Sequence, residues 1–401
     1  MDILSALNPA QKEAVQTIEG PLLIVAGPGS GKTRVIAHRI AYLVKEVGVS
    51  PRRIMAVTFT NKAAKEMRDR LASLLGPAVE GLSSGTFHAM AARILRQDGE
   101  RLGIDSHFVI YDEEDQLTVL KHCLEEMGLD PKQYAPKAIG AAIGKAKSRL
   151  ITPKQFALDT TGYFEEIVAR IYERYENRLQ QSQALDFDDL LMKVVLLLRD
   201  HPDIRSSYQS RYIHLLIDEF QDTNPAQYEM AKLLAGQYRN LCVVGDPDQS
   251  IYSWRHADLR NILDFEQDFP EAKAIYLEQN YRSTQTILEA ASNIIALNQQ
   301  RKPKRLWTDN ERGLPITLMQ SYSEEDEAQF VARQVERLSK QGLPLKECAV
   351  MYRTNAQSRA VEAVLLRYGI PHRLVGALRF YHRREIKDLL AYLRFINNPH
   401  D

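Results

Sequence analysis

Cysteine, an excess of charge of one sign and long apolar runs are all scarce or absent in this 401-residue chain. The three cysteines, Cys123, Cys242 and Cys348, are widely separated and form no CxxC pair, so neither a disulfide framework nor a cysteine-based metal site is expected. No run approaches the roughly 18 apolar residues of a membrane helix, and the N-terminus has no signal-like apolar stretch. These features predict a soluble cytoplasmic protein with no membrane contact.

The charge balance limits where a nucleic acid could bind. Lys plus Arg and Asp plus Glu both number 52, so no global positive charge indicates such a partner. Any nucleic-acid site must therefore be a local groove. The length also exceeds the roughly 250–300 residues at which single domains usually stop growing, which predicts two or three domains.

Short apolar runs rich in β-branched residues end at glycine or polar residues, which is typical of buried parallel strands. They are Leu22–Gly27, Ile54–Phe59, His214–Asp218, Leu241–Asp246 and Ala274–Glu278. Helical patterns such as Asn61–Leu75 lie between several of them. This alternation predicts a doubly wound α/β domain.

The pattern changes twice along the chain. From about Asp112 to Ser210 strands are not expected and amphipathic helical segments such as Glu165–Gln181 dominate, which predicts an inserted all-helical domain. A second alternation follows, with candidate strands at 315–319, 347–353 and 371–375. The predicted domains are a first α/β unit (1–110 and 211–280), the helical insertion (111–210), an incomplete second α/β unit (281–375) and the start of another helical insertion (376–401).

A glycine-rich loop between a predicted strand and a helix indicates phosphate binding. It comprises Ala26, Gly27, Pro28, Gly29, Ser30, Gly31, Lys32 and Thr33. Glycines let the backbone turn so that amide groups and the helix N-terminus face phosphate. Lys32 would meet the β- and γ-phosphates of ATP, and the Thr33 hydroxyl would bind Mg²⁺. Ala26 stands where the strict pattern has glycine.

A P-loop needs an acidic partner at the end of another strand, and Leu215–Asn224 supplies one. Asp218 would bind Mg²⁺, and Glu219 would orient or deprotonate the attacking water. These carboxylates directly follow an apolar strand, where an unpartnered charge would be costly. Asp222 either supports this network or caps the helix that begins near Pro225.

Together with these motifs, five further blocks resemble the UvrD/PcrA/Rep group of superfamily 1 DNA helicases. They occur in the family's order and cover nearly the whole chain: TFTNKAAKEM (58–67), GTFHAM (85–90), VVGDPDQSIYSWRHA (243–257), LEQNYRST (277–284) and YRTNAQSR (352–359). The resemblance implies RecA-like α/β units around the P-loop.

The resemblance also assigns nucleotide contacts. Gln11 is similar to a glutamine that reads the adenine edge, with Arg34 and Tyr281 flanking the base, although a capping Gln and a packed Tyr are the simpler interpretations. Gln249 resembles a γ-phosphate sensor. Arg282 resembles an arginine finger, whose planar fork can neutralise charge that develops during phosphoryl transfer.

Aromatic and polar residues near strand ends predict a surface for single-stranded DNA. Phe59, Tyr252 and Trp254 could stack on bases beside Thr60, Asn61 and Arg255, which suits a motor that must pass every base. The resemblance adds His88, Arg353 and Asn355. The basic runs Arg301–Arg305 and His382–Glu385 could touch a nucleic-acid backbone or be solvated surface.

The resemblance implies an ATP- and Mg²⁺-dependent helicase that moves 3′ to 5′ on single-stranded DNA and at junctions with duplex, in repair or replication restart, as a monomer or weak dimer. Family members continue beyond position 401 with a further motif and a second arginine finger, so we expect this chain to bind ATP but to hydrolyse it poorly. Two alternatives stay open: a subunit of an AddA/RecB-type helicase-nuclease, and a non-motor nucleotide-binding paralogue.

Overall fold

The computed structural model describes residues 2–299, 301–375, 388, 390–393, 396 and 398. The chain forms two compact units, one of Met1–Gly313 with Arg394–Asp401 and one of Leu314–Leu393. Among the described residues, no helix combines the length and apolar character that a membrane span requires. The strands described are β1 (Leu22–Ala26), β2 (Ile54–Thr58), β3 (Ser83–Thr86), β4 (Val109–Tyr111), β5 (Ala184–Asp186), β6 (His214–Ile217), β7 (Leu241–Gly245) and β8 (Lys273–Leu277).

A six-stranded parallel sheet in the order β3-β2-β6-β7-β1-β8 forms the centre of the first unit. The five strands predicted from apolar runs are all present in it, which confirms the α/β fold class. Because every strand is parallel, all the loops that follow the strands meet at one edge of the sheet. The P-loop follows β1 at that edge, and the acidic residues Asp218 and Asp246 directly follow β6 and β7.

Helices of the first unit cover both faces of the sheet and build the inserted segment. They are α1 (Pro9–Gln16), α2 (Lys32–Lys45), α3 (Asn61–Leu75), α4 (Phe87–Asp98), α5 (Glu113–Glu126), α6 (Pro136–Ser148), α7 (Pro153–Leu158), α8 (Tyr163–Gln181), α9 (Phe187–Asp200), α10 (Pro202–Arg211), α11 (Pro225–Ala235), α12 (Arg260–Leu263), α13 (Phe265–Asp268) and α14 (Gln285–Ile295). Side chains alternate across a strand. Leu22 and Ile24 therefore pack with α1, α2 and α3, whereas Leu23 and Val25 pack with α4, α9 and α11.

The inserted segment is mainly helical and has its own core, in which Leu120, Ile139, Ile171 and Tyr172 are buried. The expectation that it lacks strands is wrong at β5. This strand pairs in parallel with β4, which directly precedes the insertion. A three-residue strand is too short to show a period in the sequence.

In the second unit, α15 (Glu324–Lys340) packs against α16 (Ser358–Arg367) around Ala328, Ala332, Val364 and Leu365. The strands predicted at 315–319, 347–353 and 371–375 are not formed in the described part of this unit. These segments have no hydrogen-bonded neighbouring strand, and Leu318, for example, is 96% exposed. An apolar run becomes a strand only where a partner accepts its backbone hydrogen bonds.

Candidate nucleotide and nucleic-acid sites

The P-loop has the backbone that its glycines predict. β1 ends at Ala26 and α2 begins at Lys32, and Gly29 and Gly31 adopt left-handed φ angles of +66° and +88°. A Cβ atom at Gly29 would lie 2.6 Å from Nδ2 of Asn280, so both the conformation and the space require glycine.

Lys32, Thr33, Asp218 and Glu219 lie together where β1 and β6 end. Lys32 Nζ is 3.5 Å from Glu219 Oε2, and Thr33 Oγ1 donates to Asp218 Oδ2 at 3.2 Å. Lys32 also donates to Oε1 of Gln249 at 3.2 Å. The residues singled out for phosphate, cation and water therefore share one site.

Burial sets the protonation of two carboxyls at this site. It raises the pKa of Asp218 to about 6, helped by the nearby Glu219 and opposed by Lys32. Burial and Glu219 likewise raise the pKa of Asp222 to about 7. The interpretation of Asp222 as a helix cap is wrong, since the side chain of Asn224 caps α11. Asp222 instead accepts from Gln221 Nε2 at 3.2 Å, within the acidic network.

The donor set fits Mg²⁺, which prefers hard oxygen ligands, keeps several waters and needs few protein ligands. Asp218 and Thr33 would hold it, and a cation there would offset the cost of the buried carboxylate. Groups of three or more potential metal-ligating His, Cys, Asp or Glu side chains are absent from the described residues.

Gln221 and Asp246 belong to this site, although sequence reasoning did not select them. Gln221 Nε2 donates to Glu219 Oε2 at 2.9 Å, and Gln221 Oε1 accepts from the backbone N–H of Asp246 at 2.9 Å. Gln249 Nε2 donates to the Asp246 carboxylate. Gln221 and Asp246 are polar residues at or near the ends of apolar strands, and this placement is the sequence signal that could have identified them.

Two of the residues expected to bind adenine, Gln11 and Arg34, connect the N-terminal segment to the P-loop and to α2. Gln11 is buried, caps α1 reciprocally with Asn8 and donates from Nε2 to the Ser30 carbonyl at 2.9 Å. The capping interpretation of Gln11 is thus confirmed, and its contact with adenine stays a prediction. Arg34 donates to the carbonyl of Ala6 at 2.7 Å.

Tyr281 and Arg282 lie beside the P-loop. The backbone N–H of Tyr281 donates to the Gly29 carbonyl at 3.0 Å, and the exposed Tyr281 hydroxyl accepts from Asn8 Nδ2 at 2.8 Å. A Cβ atom at Gly29 would lie 2.8 Å from the Arg282 Cβ. Asn280 organises this turn: its Nδ2 donates to the Pro28 carbonyl, and its Oδ1 accepts from the Arg282 N–H at 2.8 Å.

Most of the basic run Arg301–Arg305 pairs with carboxylates of the first unit. Arg301 pairs with Asp248 at 3.1 Å, and Lys302 pairs with Glu266. Lys304 is buried between Asp246 and Asp248. Three of its four basic side chains therefore pair with carboxylates of the first unit, and Arg305 is exposed. The run His382–Glu385 lies outside the described residues.

The aromatic residues predicted to contact DNA form a continuous surface. The Phe59 and Tyr252 ring centres are 4.8 Å apart, and those of Tyr252 and Trp254 are 6.1 Å apart. Arg255 lies over the Trp254 ring at 4.6 Å. Trp254 is 67% exposed, so stacking surface is available to a base. Thr60 caps α3, which begins at Asn61 beside this surface.

His88 lies at the start of α4 and packs edge-on against Phe187 at 5.8 Å. Burial, helped by Arg255, lowers the pKa of His88 to about 4, so the ring is neutral at physiological pH. Phe187 is an exposed aromatic of the insertion that sequence reasoning did not select. The predicted contacts Arg353 and Asn355 are exposed residues of the second unit, and Asn355 begins a short 3₁₀ turn.

Comparison with known proteins agrees with this geometry. Residues 7–270 match the UvrD/REP helicase N-terminal domain, and residues 275–401 match the UvrD-like helicase C-terminal domain. The chain is 50% identical over 400 residues to the ATP-dependent DNA helicase PcrA of Bacillus subtilis and 49% identical over 399 residues to that of Staphylococcus aureus. These alignments cover 100% of this chain but 54% and 55% of the relatives, so the chain spans about half their length. The chain belongs to the UvrD/REP helicase family.

Proposed function

We propose that this chain binds ATP with Mg²⁺, hydrolyses it, and couples hydrolysis to movement along single-stranded DNA. The observation that carries the proposal is the convergence of Lys32, Asp218 and Glu219 beside the P-loop. The relatives are ATP-dependent DNA helicases by name, which supports the same chemistry.

In this proposal each side chain has a distinct role. Mg²⁺, when bound by Thr33 and Asp218, would neutralise charge on the phosphate oxygens. Lys32 leaves Glu219 and Gln249 to bind phosphate, because a triphosphate offers it more negative charge than either partner. Glu219, once freed, accepts a proton from the attacking water. Arg282 neutralises charge that develops on the transferred group.

The aromatic surface supplies the grip on DNA. Phe59, Tyr252 and Trp254 would stack on successive bases, and Arg255 would bind the phosphate backbone. Stacking tolerates any base, so this surface suits movement along arbitrary sequences. We propose that Arg353 and Asn355 of the second unit contact single-stranded DNA. We also propose that movement runs 3′ to 5′ and reaches junctions with duplex, and that the protein acts in the cytoplasm in repair or replication restart. Those features rest on the family resemblance.

The test compares the wild-type chain with Glu219→Gln in single-turnover ATP hydrolysis, with and without oligodeoxythymidylate. Single-turnover conditions suit the slow hydrolysis that we expect from this chain. Loss of a general base costs about 10²–10⁴-fold in rate, so Glu219→Gln should bind ATP normally yet hydrolyse it at least about 100-fold more slowly. Glu271→Gln, which alters an exposed carboxylate paired with Arg239, is the control. Equal rates for Glu219→Gln and wild type would overturn the proposal.

A further inference from the structure

A cluster of buried charged side chains lies next to the nucleotide site, at the loop that follows β7. Lys304 Nζ donates to both Asp246 and Asp248, and the three side chains are 1%, 0% and 7% exposed. Arg301 adds a second cation to Asp248 at 3.1 Å. None of these residues is placed to contact phosphate in the proposed mechanism, so the cluster needs another explanation.

Lys304 compensates the charge of Asp246. A fully buried carboxylate without a partner is strongly unfavourable, and removal of one member of a buried pair leaves the other uncompensated. Asp248 has Arg301 as a second cationic partner, whereas the only cation that the structure places on Asp246, among its described residues, is Lys304. Lys304 is therefore the side chain that pairs with the buried Asp246 carboxylate.

Asp246 in turn holds the orientation of Gln249. One carboxylate oxygen, Oδ1, accepts from Lys304 and from the backbone N–H of Asp248, and the other, Oδ2, accepts from Gln249 Nε2. An amide that donates from Nε2 to a carboxylate must present Oε1 in the opposite direction. Gln249 Oε1 accordingly accepts from Lys32, the P-loop lysine, at 3.2 Å.

We propose that Lys304 is a positioning residue that, through Asp246, fixes the Gln249 amide where it detects the third phosphate of a nucleoside triphosphate. The inference rests on the proposed role of Gln249 at the γ-phosphate. Lys304 touches neither nucleotide nor reacting atoms. Its effect should therefore appear as lost discrimination between triphosphate and diphosphate, with diphosphate affinity preserved.

The experiment measures dissociation constants for ADP and for the non-hydrolysable triphosphate β,γ-imido-ATP by competition with a fluorescent ADP analogue. Because a hydrogen bond to a charged group is typically worth about tenfold or more in affinity, Gln249→Ala should lower the triphosphate preference about tenfold. Lys304→Met should lower it to the same extent, with ADP affinity within about twofold of wild type. The double variant Lys304→Met/Gln249→Ala should lose no more than either single variant, because both act on one contact.

Matched variants separate positioning from general stability. Lys302→Met removes a neighbouring lysine of the same run that pairs with Glu266 instead, and should leave the preference unchanged. Lys304→Arg keeps the charge and should retain most of the preference. In Lys304→Met/Asp246→Asn no buried charge is left uncompensated, so folding stability should recover. The preference should stay low, because an amide has one acceptor oxygen in place of the two with which Asp246 accepts from the Asp248 N–H and from Gln249.

The outcomes distinguish the role of Gln249 from the role of Lys304. If Gln249→Ala keeps the wild-type preference, the proposed role of Gln249 fails, and the inference fails with it. If Gln249→Ala loses the preference but Lys304→Met keeps it, only the inference about Lys304 is overturned. If Lys304→Met is too unstable to measure, the double variant Lys304→Met/Asp246→Asn decides. Should it recover both folding stability and the triphosphate preference, the role of Lys304 would be purely structural and the inference would be overturned.

Discussion

Gln221 Nε2 donates a hydrogen bond to Oε2 of Glu219 at 2.9 Å. Glu219 has a left-handed backbone, with φ of +52°, which a non-glycine residue adopts only when its surroundings enforce it. The same Gln221 side chain accepts from the backbone N–H of Asp246 at 2.9 Å. Gln221 thus links the carboxylate proposed as the general base to the loop that carries Gln249.

Replacing Gln221 by alanine should therefore lower the rate of ATP hydrolysis without changing nucleotide affinity. A lost hydrogen bond to a charged group corresponds to about 1.5–3 kcal/mol, or roughly ten- to 100-fold in rate if Glu219 is no longer oriented. Single-turnover hydrolysis and ADP binding measure the two effects. Gln209→Ala is the control, because its amide bonds the Leu233 carbonyl away from the site. A Gln221→Ala variant that hydrolyses ATP at the wild-type rate would contradict this role.

The features that sequence could predict are those set by local chemistry. Strands buried on both faces are recognisable as apolar runs, and this held for β1, β2, β6 and β7. The edge strand β8 was predicted as well, although Lys273 and Tyr276 are exposed. The P-loop was also predictable, since Gly29 and Gly31 encode its backbone directly. Each of these signals is contained within a few consecutive residues of the chain.

The features that sequence could not predict depend on distant partners. Lys304 has the same local pattern as a solvated basic run, and only the fold brings it to Asp246 and Asp248, more than 50 residues away in the chain. For the same reason, an apolar run such as 315–319 shows its β-propensity but not whether a neighbouring strand is present. Charge pairing and strand pairing are both long-range properties.

Trp254 should contribute to DNA affinity but not to stability. It is 67% exposed, so truncation leaves little cavity, whereas stacking on a base is worth about 1–3 kcal/mol. Trp254→Ala should weaken binding of oligodeoxythymidylate by about ten- to 100-fold, measured by fluorescence anisotropy, at unchanged melting temperature. Tyr163→Ala removes an aromatic that is 68% exposed on the insertion, away from this surface, and serves as the control. Equal losses in both variants would argue against a specific stacking role.

The buried lysine of the insertion should be essential for its stability. Lys147 is fully buried and pairs with Glu176 at 2.6 Å and with Asp186 and Asp189 at 2.8 Å, which raises its pKa well above the ordinary value despite burial. Lys147→Met leaves these carboxylates without that counter-charge and should cost about 3–5 kcal/mol of unfolding free energy, measured by urea denaturation.

The exposed Lys145, two residues earlier on α6, provides the matched control for Lys147→Met. Lys145→Met should change stability by less than about 0.5 kcal/mol, as surface substitutions usually do. If both variants unfolded at the same urea concentration, the charge cluster would not be the element that stabilises the insertion.

Asp222 should make stability depend on pH. Because its pKa is raised from 3.8 to about 7, the folded chain holds a proton that the unfolded chain releases across that range, and folded stability falls as pH rises through it. Asp222→Asn removes this effect and should stabilise the nucleotide-free chain at pH 8 by about 1 kcal/mol or more, with the advantage lost near pH 4. Thermal unfolding at both pH values measures it. Asp203→Asn, at a carboxylate that is 61% exposed, should show no such gain at pH 8.

Alanine substitutions at Gly29 and Gly48 distinguish the effect of a left-handed backbone from the effect of close contacts at the P-loop. Both have left-handed φ angles, +66° and +80°, so an alanine at either position bears a similar conformational cost of roughly 1 kcal/mol. At Gly48 an added Cβ would meet no atom within 4 Å, whereas at Gly29 it would lie 2.6 Å from Asn280 and 2.8 Å from Arg282.

Gly29→Ala should therefore displace the turn that carries Asn280 and Arg282, and should weaken ATP binding by more than about tenfold. Gly48→Ala should lower the melting temperature slightly and leave ATP affinity unchanged. Dissociation constants for ATP, measured beside the melting temperature of each variant, distinguish the two effects. Equal ATP affinities in Gly29→Ala and Gly48→Ala would mean that contact with Asn280 and Arg282 does not shape the nucleotide site.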